Sequence, residues 1–387
     1  MATTPKGERP QIVFVGPTNV GKSSLINALT DQAVSLVSPV PGTTTDPVYK
    51  AMELLPFGPV ALVDTAGFND QSPLGQQRQE RTKTALTNAD LAVVVTDHPQ
   101  RLNEEIIALL AREQIPYLQV LNKGDLLTNE SIPDHFLVVS SKTKEGIDEL
   151  KEAIVEKLSQ EQKSSSIVGD LVSPGDLVLL VVPIDEQAPK GRLILPQVQT
   201  IRDLLDHHCQ VLVVKDSELS QALEGLKASP CLVITDSRIF REVAQRVGDQ
   251  IPLTSFSILF ARYKGDLPLL VEGAAQIERL QTGDHILICE ACTHRPSTED
   301  IGRVKIPALL QKKVNGPLHF TWAVGQDFPE DLSPYKLAVH CGGCMVTRKT
   351  VLQRLKRLQK AGIPVVNYGV LLAYFSGILE RALEPVM

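Results

Sequence analysis

The chain of 387 residues is short of long apolar runs, cysteines, aromatic side chains and excess basic charge. No stretch reaches the roughly 18 apolar residues that a membrane-spanning helix needs, so we expect no membrane role. Residues 1–10 lack the apolar core of a signal peptide, which favours a flexible N-terminus and a cytoplasmic protein. A net charge of −6 provides no general attraction to nucleic acid.

Six cysteines are few for a chain of this length. In a reducing compartment they indicate metal binding or burial before disulfides. The remaining composition, 43% hydrophobic and 22% charged, is that of a globular protein with a sizeable core. The length predicts two or three domains.

The first motif is GPTNVGKS, residues 16–23, between an apolar strand-like run at 11–15 and a helix-like segment from residue 24. Strand, glycine loop and helix are the context of a P-loop. The loop N–H groups cradle the β-phosphate, Lys22 reaches the β- and γ-phosphates, and the Ser23 hydroxyl binds Mg²⁺. We therefore expect the phosphates to be held by Gly16, Asn19, Val20, Gly21, Lys22, Ser23 and Ser24.

Three further motifs follow in the order typical of a GTPase. In Asp64-Thr65-Ala66-Gly67, the carboxylate can hold Mg²⁺ through water and the Gly67 N–H can sense a γ-phosphate. In Asn122-Lys123-Gly124-Asp125, the Asp125 carboxylate can accept two hydrogen bonds from guanine, which adenine does not offer. Ser140, Ser141 and Lys142 would close the base pocket.

Residues 11 to about 158 resemble the GTPase domains of the translation-factor-related class, such as Era and the tRNA-modification GTPases. Within that resemblance, residues 42–46 are similar to the switch I motif, and Thr44 is the expected Mg²⁺ ligand, with Thr43 and Thr45 as alternatives. Asn19 lies where several of these GTPases help to hold K⁺, which implies potassium-stimulated hydrolysis. The alternative role of Asn19 is that of a turn residue.

Phe68 follows Gly67 at the position where Ras-like enzymes carry a water-orienting glutamine. An apolar side chain cannot orient the attacking water, so we expect slow intrinsic hydrolysis and a switch rather than a metabolic enzyme. Residues 67–83 are polar and punctuated by glycine and proline, as in a mobile switch II.

After a polar linker at 161–170, strand-like and helix-like segments alternate again up to residue 265. This pattern predicts a second, small parallel α/β domain. Because it contains no phosphate loop, we expect it to serve binding or self-association, with a purely structural spacer as the alternative.

The last third of the chain carries two clusters of soft-metal ligands. Cys292 and His294 follow one strand-like run, and His340, Cys341 and Cys344 end another. If both strands belong to one sheet, the clusters can meet at its edge. The intervening glycines, 342 and 343, would allow the backbone to wrap closely around a metal or cluster.

Three interpretations of these ligands compete on chemistry alone. Structural zinc would use Cys289, Cys292, Cys341 and Cys344, although the gap of 48 residues between the pairs exceeds the usual 15–20 or so. An iron–sulfur cluster would use the last three cysteines and a weaker fourth ligand. Redox-active thiols are the third interpretation, which the lack of a thioredoxin-like pattern disfavours.

The combined pattern C-x-H, 45 residues, H-C-x-x-C, downstream of a GTPase and an α/β segment, resembles the [FeFe]-hydrogenase maturation GTPases, the HydF family. The resemblance implies a [4Fe–4S] cluster on Cys292, Cys341 and Cys344. Its fourth ligand would be His294, His340, a carboxylate such as Asp185 or Glu186, or an exogenous group. Cys289 lies outside the motif.

The resemblance also implies a homodimeric scaffold. It would receive a diiron precursor from radical-SAM maturases and deliver it to apo-[FeFe]-hydrogenase, with GTP modulating its partners. The expected domains are a GTPase domain at 11–160, an α/β dimerisation domain at 171–265 and an α/β iron–sulfur domain at 266–387. The rivals are an RNA-associated GTPase with structural zinc and a redox sensor.

Overall fold

The structure, a computed structural model, describes residues 9–31, 48–67, 75–127, 132–162, 166–184, 191, 193–291, 300–325 and 328–387. Its contacts divide the chain into two units, Met1–Ser164 and Ser165–Met387. Among the described residues, no helix combines the length and the apolar character needed to cross a membrane.

The first unit is a six-stranded sheet with helices on both faces. Its strands are β1 (Gln11–Val15), β2 (Val48–Leu54), β3 (Gly58–Asp64), β4 (Leu91–Thr96), β5 (Tyr117–Leu121) and β6 (Phe136–Val138). Its helices are α1 (Lys22–Thr30), α2 (Gly75–Thr87), α3 (Glu104–Arg112) and α4 (Ile147–Gln162). The strand order is β2-β3-β1-β4-β5-β6, and only β2 is antiparallel to its neighbour.

The apolar strand sequences explain this layering. Every residue of β4 is buried, as expected for a central parallel strand that is covered on both faces. One hydrophobic cluster packs β1 against α1 and α4, and another packs the opposite face against α2 and α3. The loops after the parallel strands therefore gather at one edge of the sheet, where ligands bind in this class of fold.

The second unit begins with a four-stranded parallel sheet. Its strands are β7 (Leu177–Val181), β8 (Gln210–Val214), β9 (Leu232–Thr235) and β10 (Leu253–Ser255), and its helices are α5 (Leu195–Asp206), α6 (Leu219–Gly225), α7 (Phe240–Val247) and α8 (Phe256–Lys264). The order is β10-β9-β7-β8, so β8 is an edge strand. Its residues are half-buried or exposed, although four of the five are apolar.

A second four-stranded parallel sheet completes this unit. Its strands, in the order β12-β11-β13-β14, are β11 (His285–Glu290), β12 (His319–Val324), β13 (Tyr335–His340) and β14 (Val365–Asn367). Its helices are α9 (Leu267–Ala275), α10 (Ile306–Val314), α11 (Arg348–Lys360), α12 (Tyr368–Ser376) and α13 (Leu379–Leu383), with a π-helical turn at Ile301–Lys305 before α10.

The expected fold class, a P-loop α/β domain followed by further parallel α/β structure, is confirmed. One hydrophobic core runs through both sheets of the second unit, from Ile167 to Val386. Helix α8 contacts α5, α11 and α12 and so links the two sheets. The carboxyl ends of β11 and β13, which precede the two cysteine clusters, are neighbours in one sheet.

Candidate functional site

The P-loop joins β1 to α1 and depends on two glycines. A Cβ at Gly16 would collide with the carbonyl oxygen of Val95 on β4. Gly21 has φ 91° and precedes α1, and a Cβ there would collide with the Asn122 amide. Only glycine allows this close approach and this backbone conformation. The loop N–H groups and the N-terminus of α1 together form an anion site.

Lys22, the first residue of α1, is 7% exposed. Its Nζ donates to the carbonyl oxygens of Gly16 and Pro17 at 3.0 and 2.8 Å. Burial lowers the pKa of this ammonium to about 8, partly offset by the negative charge of Asp64. The loop thus holds a buried cation that a polyphosphate would complement.

Ser23 and Asp64 meet where the sequence predicts Mg²⁺. The Ser23 hydroxyl donates to Asp64 Oδ2 at 2.5 Å, and Asp64 Oδ1 is buried without a hydrogen-bond partner in the described part of the chain. Burial raises the pKa of this carboxyl. Hydroxyl and carboxylate oxygens are the ligands that Mg²⁺ prefers, so these residues fit the ion. The predicted ligand Thr44, its alternatives Thr43 and Thr45, and Phe68 lie outside the described residues.

Gly67 lies against the P-loop. A Cβ at Gly67 would approach the Thr18 backbone nitrogen to 2.9 Å. Thr65, two residues earlier, donates from Oγ1 to the Phe14 carbonyl at 2.7 Å and ties the end of β3 to β1. The Gly67 N–H is thereby held beside the phosphate loop, the position at which a γ-phosphate sensor is needed.

Asn122 joins the P-loop to the base-binding loops. It is fully buried, donates to the Val20 carbonyl at 2.9 Å and accepts from the Ser141 N–H at 3.1 Å. Ser140 Oγ donates to Asp125 Oδ1 at 2.7 Å and orients the predicted guanine acceptor. These contacts fix the geometry of the base-binding loops.

Lys123 has a partner that the motifs did not reveal. Its backbone is left-handed, with φ 64°, and its Nζ pairs with Asp97 after β4 at 2.9 Å. The charge of Lys123 and its hydrogen bond lower the pKa of Asp97 despite burial. Lys142 is exposed, Ser24 is half-buried in α1, and Asn19 is exposed with φ 64°. The roles of these side chains toward GTP and K⁺ stay predictions.

The cysteine loop begins at the end of β13. The Cys341 N–H donates to the Cys289 carbonyl at 2.9 Å, which fastens the start of the loop to β11. Cys341 Sγ accepts from the N–H groups of Ala291 and Gly343 at 3.1 and 3.4 Å. Gly343 has φ 63°, in the left-handed region, so the loop turns sharply between the two cysteines.

Several buried polar atoms near this loop lack hydrogen-bond partners in the described part of the chain. They are Glu290 Oε1, His340 Nε2, Arg354 Nη1 and the Tyr368 hydroxyl. The charges of Glu290 and Arg354 both act on Cys341, so these groups lie close to its thiol. Unpaired buried polar atoms are rare and often mark a site for a missing ion or group.

His340 is neutral in this setting. Its Nδ1 contacts the Cys341 carbonyl at 2.7 Å, and because a carbonyl only accepts, Nδ1 carries the proton and Nε2 the lone pair. Burial and the nearby Arg354 lower the pKa of His340 to about 4. Nε2, which has no hydrogen-bond partner among the residues that the structure describes, therefore offers a lone pair, as a metal ligand requires.

The other predicted ligands lie in segments that the structure does not describe. Cys292, His294, Asp185 and Glu186 lie outside the described residues. In the ranges that are described, no three His, Cys, Asp or Glu side chains are grouped so as to hold a metal ion. The metal-ligand assignments therefore stay predictions.

Cys289, which a four-cysteine zinc site would need, is a core side chain. It is fully buried within β11 and belongs to the hydrophobic core. Burial raises the pKa of its thiol to about 12. A thiolate is costly there, and this disfavours Cys289 as a ligand.

Three family descriptions match successive parts of the chain. Residues 11–123 match the 50S ribosome-binding GTPase family, residues 167–265 the Hydrogen maturase F dimerization domain, and residues 268–385 the Hydrogen maturase F tetramerization domain. The last two together span both sheets of the second unit.

Curated relatives match only the first part of the chain. The tRNA modification GTPase MnmE of Thermus thermophilus is 41% identical over 155 residues, covering 40% of this chain and 34% of the relative. The mitochondrial 5-taurinomethyluridine-[tRNA] synthase subunit GTPB3 of Homo sapiens is 38% identical over 167 residues, covering 38% and 34%. The chain thus spans about a third of the length of these relatives.

Solved structures resemble the chain weakly. A variant of Era from Aquifex aeolicus, bound to GDP·AlF₄⁻, covers 62% of this chain and 99% of its own at 20% identity and a TM-score of 0.35. A probable GTP-binding protein engB covers 39% and 99% at 25% identity and a TM-score of 0.31.

The matches to both hydrogen maturase F domains, behind a GTPase domain whose motifs converge on one site, identify the family. The two matched descriptions are those of a tetramerization and a dimerization domain. The chain therefore belongs to the hydrogen maturase F (HydF) family and carries a GTPase domain in its first unit.

Proposed function

We propose that the protein is a GTP-controlled scaffold that holds a [4Fe–4S] cluster and carries a diiron precursor to apo-[FeFe]-hydrogenase. Cys292, Cys341 and Cys344 would be the protein ligands of the resident cluster. The diiron precursor, made with radical-SAM maturases, would be cargo. The proposal extends the family's role in hydrogenase maturation to particular residues.

The surroundings of Cys341 carry this proposal. Its sulfur accepts hydrogen bonds from two backbone N–H groups, and burial raises the pKa of its thiol. A buried thiolate needs a compensating cation, and N–H groups directed at sulfur are typical of iron–sulfur sites. When bound through three cysteines, a cluster supplies one iron whose fourth ligand can exchange. His340 Nε2 is buried and has no hydrogen-bond partner within the described ranges, so it is one candidate for that ligand, and His294 is the other histidine.

GTP would act on partners rather than on the cluster. Asp64, Ser23 and Gly67 meet at the P-loop, so γ-phosphate and Mg²⁺ would order the switch segments there. Residue 68 is phenylalanine and not the glutamine that orients the attacking water in Ras-like enzymes. Hydrolysis would therefore be slow, and its rate would set how long a partner stays bound. K⁺ held through Asn19 would accelerate it.

The dimer would form through the exposed edge of the first sheet of the second unit. Among the described residues no strand pairs with the outer edge of β8, and Val213 on this strand is 40% exposed. Leu205, at the end of α5, is 54% exposed. Apolar edge strands pair readily with another chain, and residues 167–265 match a dimerization domain.

An RNA-associated GTPase with structural zinc receives support only from the GTPase domain. The tRNA-modification relatives match about two fifths of the chain. The zinc site would need Cys289, whose burial raises its pKa to about 12. The net charge of −6 gives no general attraction to RNA.

Metal and sulfide analysis with EPR on anaerobically reconstituted protein tests the scaffold. We expect about four irons and four sulfides per chain, the content of one [4Fe–4S] cluster. The iron and sulfide content should fall in Cys292→Ala, Cys341→Ala and Cys344→Ala. It should be unchanged in Cys289→Ala and in the remote control Cys231→Ala. Stoichiometric zinc that depends on Cys289 would end the proposal.

Partner binding tests the role of GTP. Asp64→Asn removes the carboxylate beside Ser23 and should block the Mg²⁺-dependent switch. We expect GTP to change the affinity of the wild-type protein for the maturases or the hydrogenase, and not that of Asp64→Asn. Equal partner affinities for the wild-type protein and Asp64→Asn, each with and without GTP, would refute the coupling between GTP and partner binding.

A further inference from the structure

Lys264 is a buried lysine outside every motif of the sequence. It is the last residue of α8, the helix that links the two sheets of the second unit, and it is 3% exposed. Lysine is almost never fully buried unless its ammonium is paired. We therefore expect the ammonium of Lys264 to have specific partners.

The ammonium of Lys264 donates to the loop that carries two of the predicted cluster ligands. Its Nζ lies 3.2 Å from the carbonyl oxygens of Gly343 and Cys344 and 2.9 Å from that of Val346. The face of Phe260, one turn earlier on α8, lies 5.6 Å from Nζ and adds a cation–π contact. Three carbonyls from one short loop thus converge on one cation.

This convergence determines how the peptide groups of the loop are oriented. In a planar trans peptide, C=O and N–H point in opposite directions. With the carbonyls of Gly343 and Cys344 directed at Lys264, the N–H groups of Cys344 and Met345 point away from it. The Gly343 N–H already donates to Cys341 Sγ at 3.4 Å. Lys264 thus fixes the side of the loop to which its donors point.

We infer that Lys264 is a positioning residue for the cluster: it holds the Cys341–Cys344 loop in its ligand conformation and provides a fixed positive charge behind it. This inference rests on the proposed function, since it assigns the loop to the cluster. Without the ammonium, the three carbonyl oxygens would lose their charged donor, and the Val346 N–H, which also donates to the Gly343 carbonyl at 3.2 Å, would be left to hold that part of the loop. The loop would therefore be held less tightly.

The charge of Lys264 also has an electronic consequence. A [4Fe–4S] core with three thiolates is anionic, and one-electron reduction adds a further negative charge. A nearby cation stabilises the reduced state more than the oxidised state. Removing this charge should therefore lower the reduction potential of the cluster, an effect that a purely structural lysine would not have.

The test compares three variants in the full-length protein. Lys264→Met removes the charge and keeps the length, and Lys264→Arg keeps the charge and can restore some hydrogen bonds. The matched control is Arg381→Met, which removes a partly buried cation that donates to the carbonyls of Ala244 and Ile251, away from the cysteine loop. Circular dichroism and the fluorescence of Trp322, which lies in the same unit as the substitutions, verify that each variant folds.

Two readouts need iron. In Lys264→Met we expect iron to be lost to a chelator roughly 10- to 100-fold faster, the usual effect of a lost outer-shell partner. We also expect a lower reduction potential by EPR-monitored dithionite titration, with partial recovery in Lys264→Arg and no change in Arg381→Met.

A third readout needs no metal. Amide hydrogen exchange of residues 341–346 in the iron-free protein should be faster in Lys264→Met than in the wild-type protein. Unchanged exchange, iron retention and potential in Lys264→Met would overturn the inference. If the wild-type protein binds no iron, the proposed function fails, whereas the exchange measurement still decides whether Lys264 holds the loop.

If Lys264→Met does not fold, Lys264→Arg decides the question. Its charge is intact but its planar guanidinium cannot point three donors at three carbonyls in the same way. We then expect faster exchange in the loop with a nearly unchanged potential. A variant indistinguishable from the wild-type protein in exchange would overturn the positioning role.

Discussion

Replacing Lys22 by methionine should stabilise the nucleotide-free protein at pH 7 while abolishing GTP binding. The ammonium of Lys22 is 7% exposed, and its pKa is lowered from 10.5 to about 8. A shift of this size corresponds to about 3 kcal/mol of destabilisation when the charge is present. Methionine removes that cost but also two hydrogen bonds worth about 1 kcal/mol each, which leaves a net gain of about 1 kcal/mol.

The pH dependence separates this cause from simple repacking. Below pH 8 both the folded and unfolded chains hold the proton on Lys22, so the cost is fully present. Between pH 8 and 10.5 the folded protein loses the proton first, and its stability rises. From pH 7 to pH 9.5 the wild-type protein should gain about 2 kcal/mol relative to Lys22→Met, so the order of stability should reverse.

Urea unfolding followed by far-UV circular dichroism measures the difference. The single tryptophan, Trp322, lies in the second unit, so its fluorescence reports that unit separately and should not change. Lys144→Met is the control, because Lys144 is an exposed lysine paired with Asp31. A difference between Lys22→Met and the wild-type protein that is the same at pH 7 and pH 9.5 would refute the reasoning. With Mg²⁺ and GTP, only the wild-type protein should gain stability.

Three further predictions concern the nucleotide and the dimer. Asn19→Ala should lose the stimulation of GTP hydrolysis by K⁺ over Na⁺ while binding GTP normally; retained stimulation would favour a turn role for Asn19. Asp125→Asn should weaken GTP binding roughly 100-fold or more, because two hydrogen bonds to a charged acceptor are lost, and should bind xanthosine triphosphate instead. Val213→Lys, on the exposed edge of β8, should shift the protein toward monomer in sedimentation experiments, and the exposed Val304→Lys, in the π-helical turn, should not; an unchanged dimer would move the interface elsewhere.

The GTPase motifs could be predicted from sequence because each is local. A P-loop needs Gly16 and Gly21 at fixed spacing, and the structure shows the collisions that a Cβ would cause there. Helix α10 is likewise predictable over its observed range, Ile306–Val314, since its apolar period is regular and Asn315 ends it in a left-handed conformation. Local rules determine such elements.

The partners that come from distant segments could not be predicted. Asp97 pairs with Lys123 across 26 positions, and Lys264 reaches the cysteine loop across about 80. Neither Asp97 nor Lys264 belongs to a motif, and a lysine near the end of a helix looks like a solvated charge. Strand β14 is also hard to predict, because three residues before a helix give too short a pattern. Such contacts depend on which strands become neighbours, and the sequence pattern does not specify this.

The two candidate sites share one physical design. Each lies at the carboxyl ends of parallel strands, and each contains charged or polar groups that are partly or fully buried. At the P-loop, Lys22 is buried and Asp64 is half-buried; at the cysteine loop, burial disfavours the thiolate of Cys341 that a metal would require. Such groups destabilise the folded protein unless a ligand of opposite charge or suitable chemistry is bound. Each ligand should therefore stabilise the unit to which it binds. GTP should therefore raise the unfolding temperature of Met1–Ser164, and a reconstituted cluster that of Ser165–Met387. An increase confined to the wrong unit would show that the buried groups are merely structural.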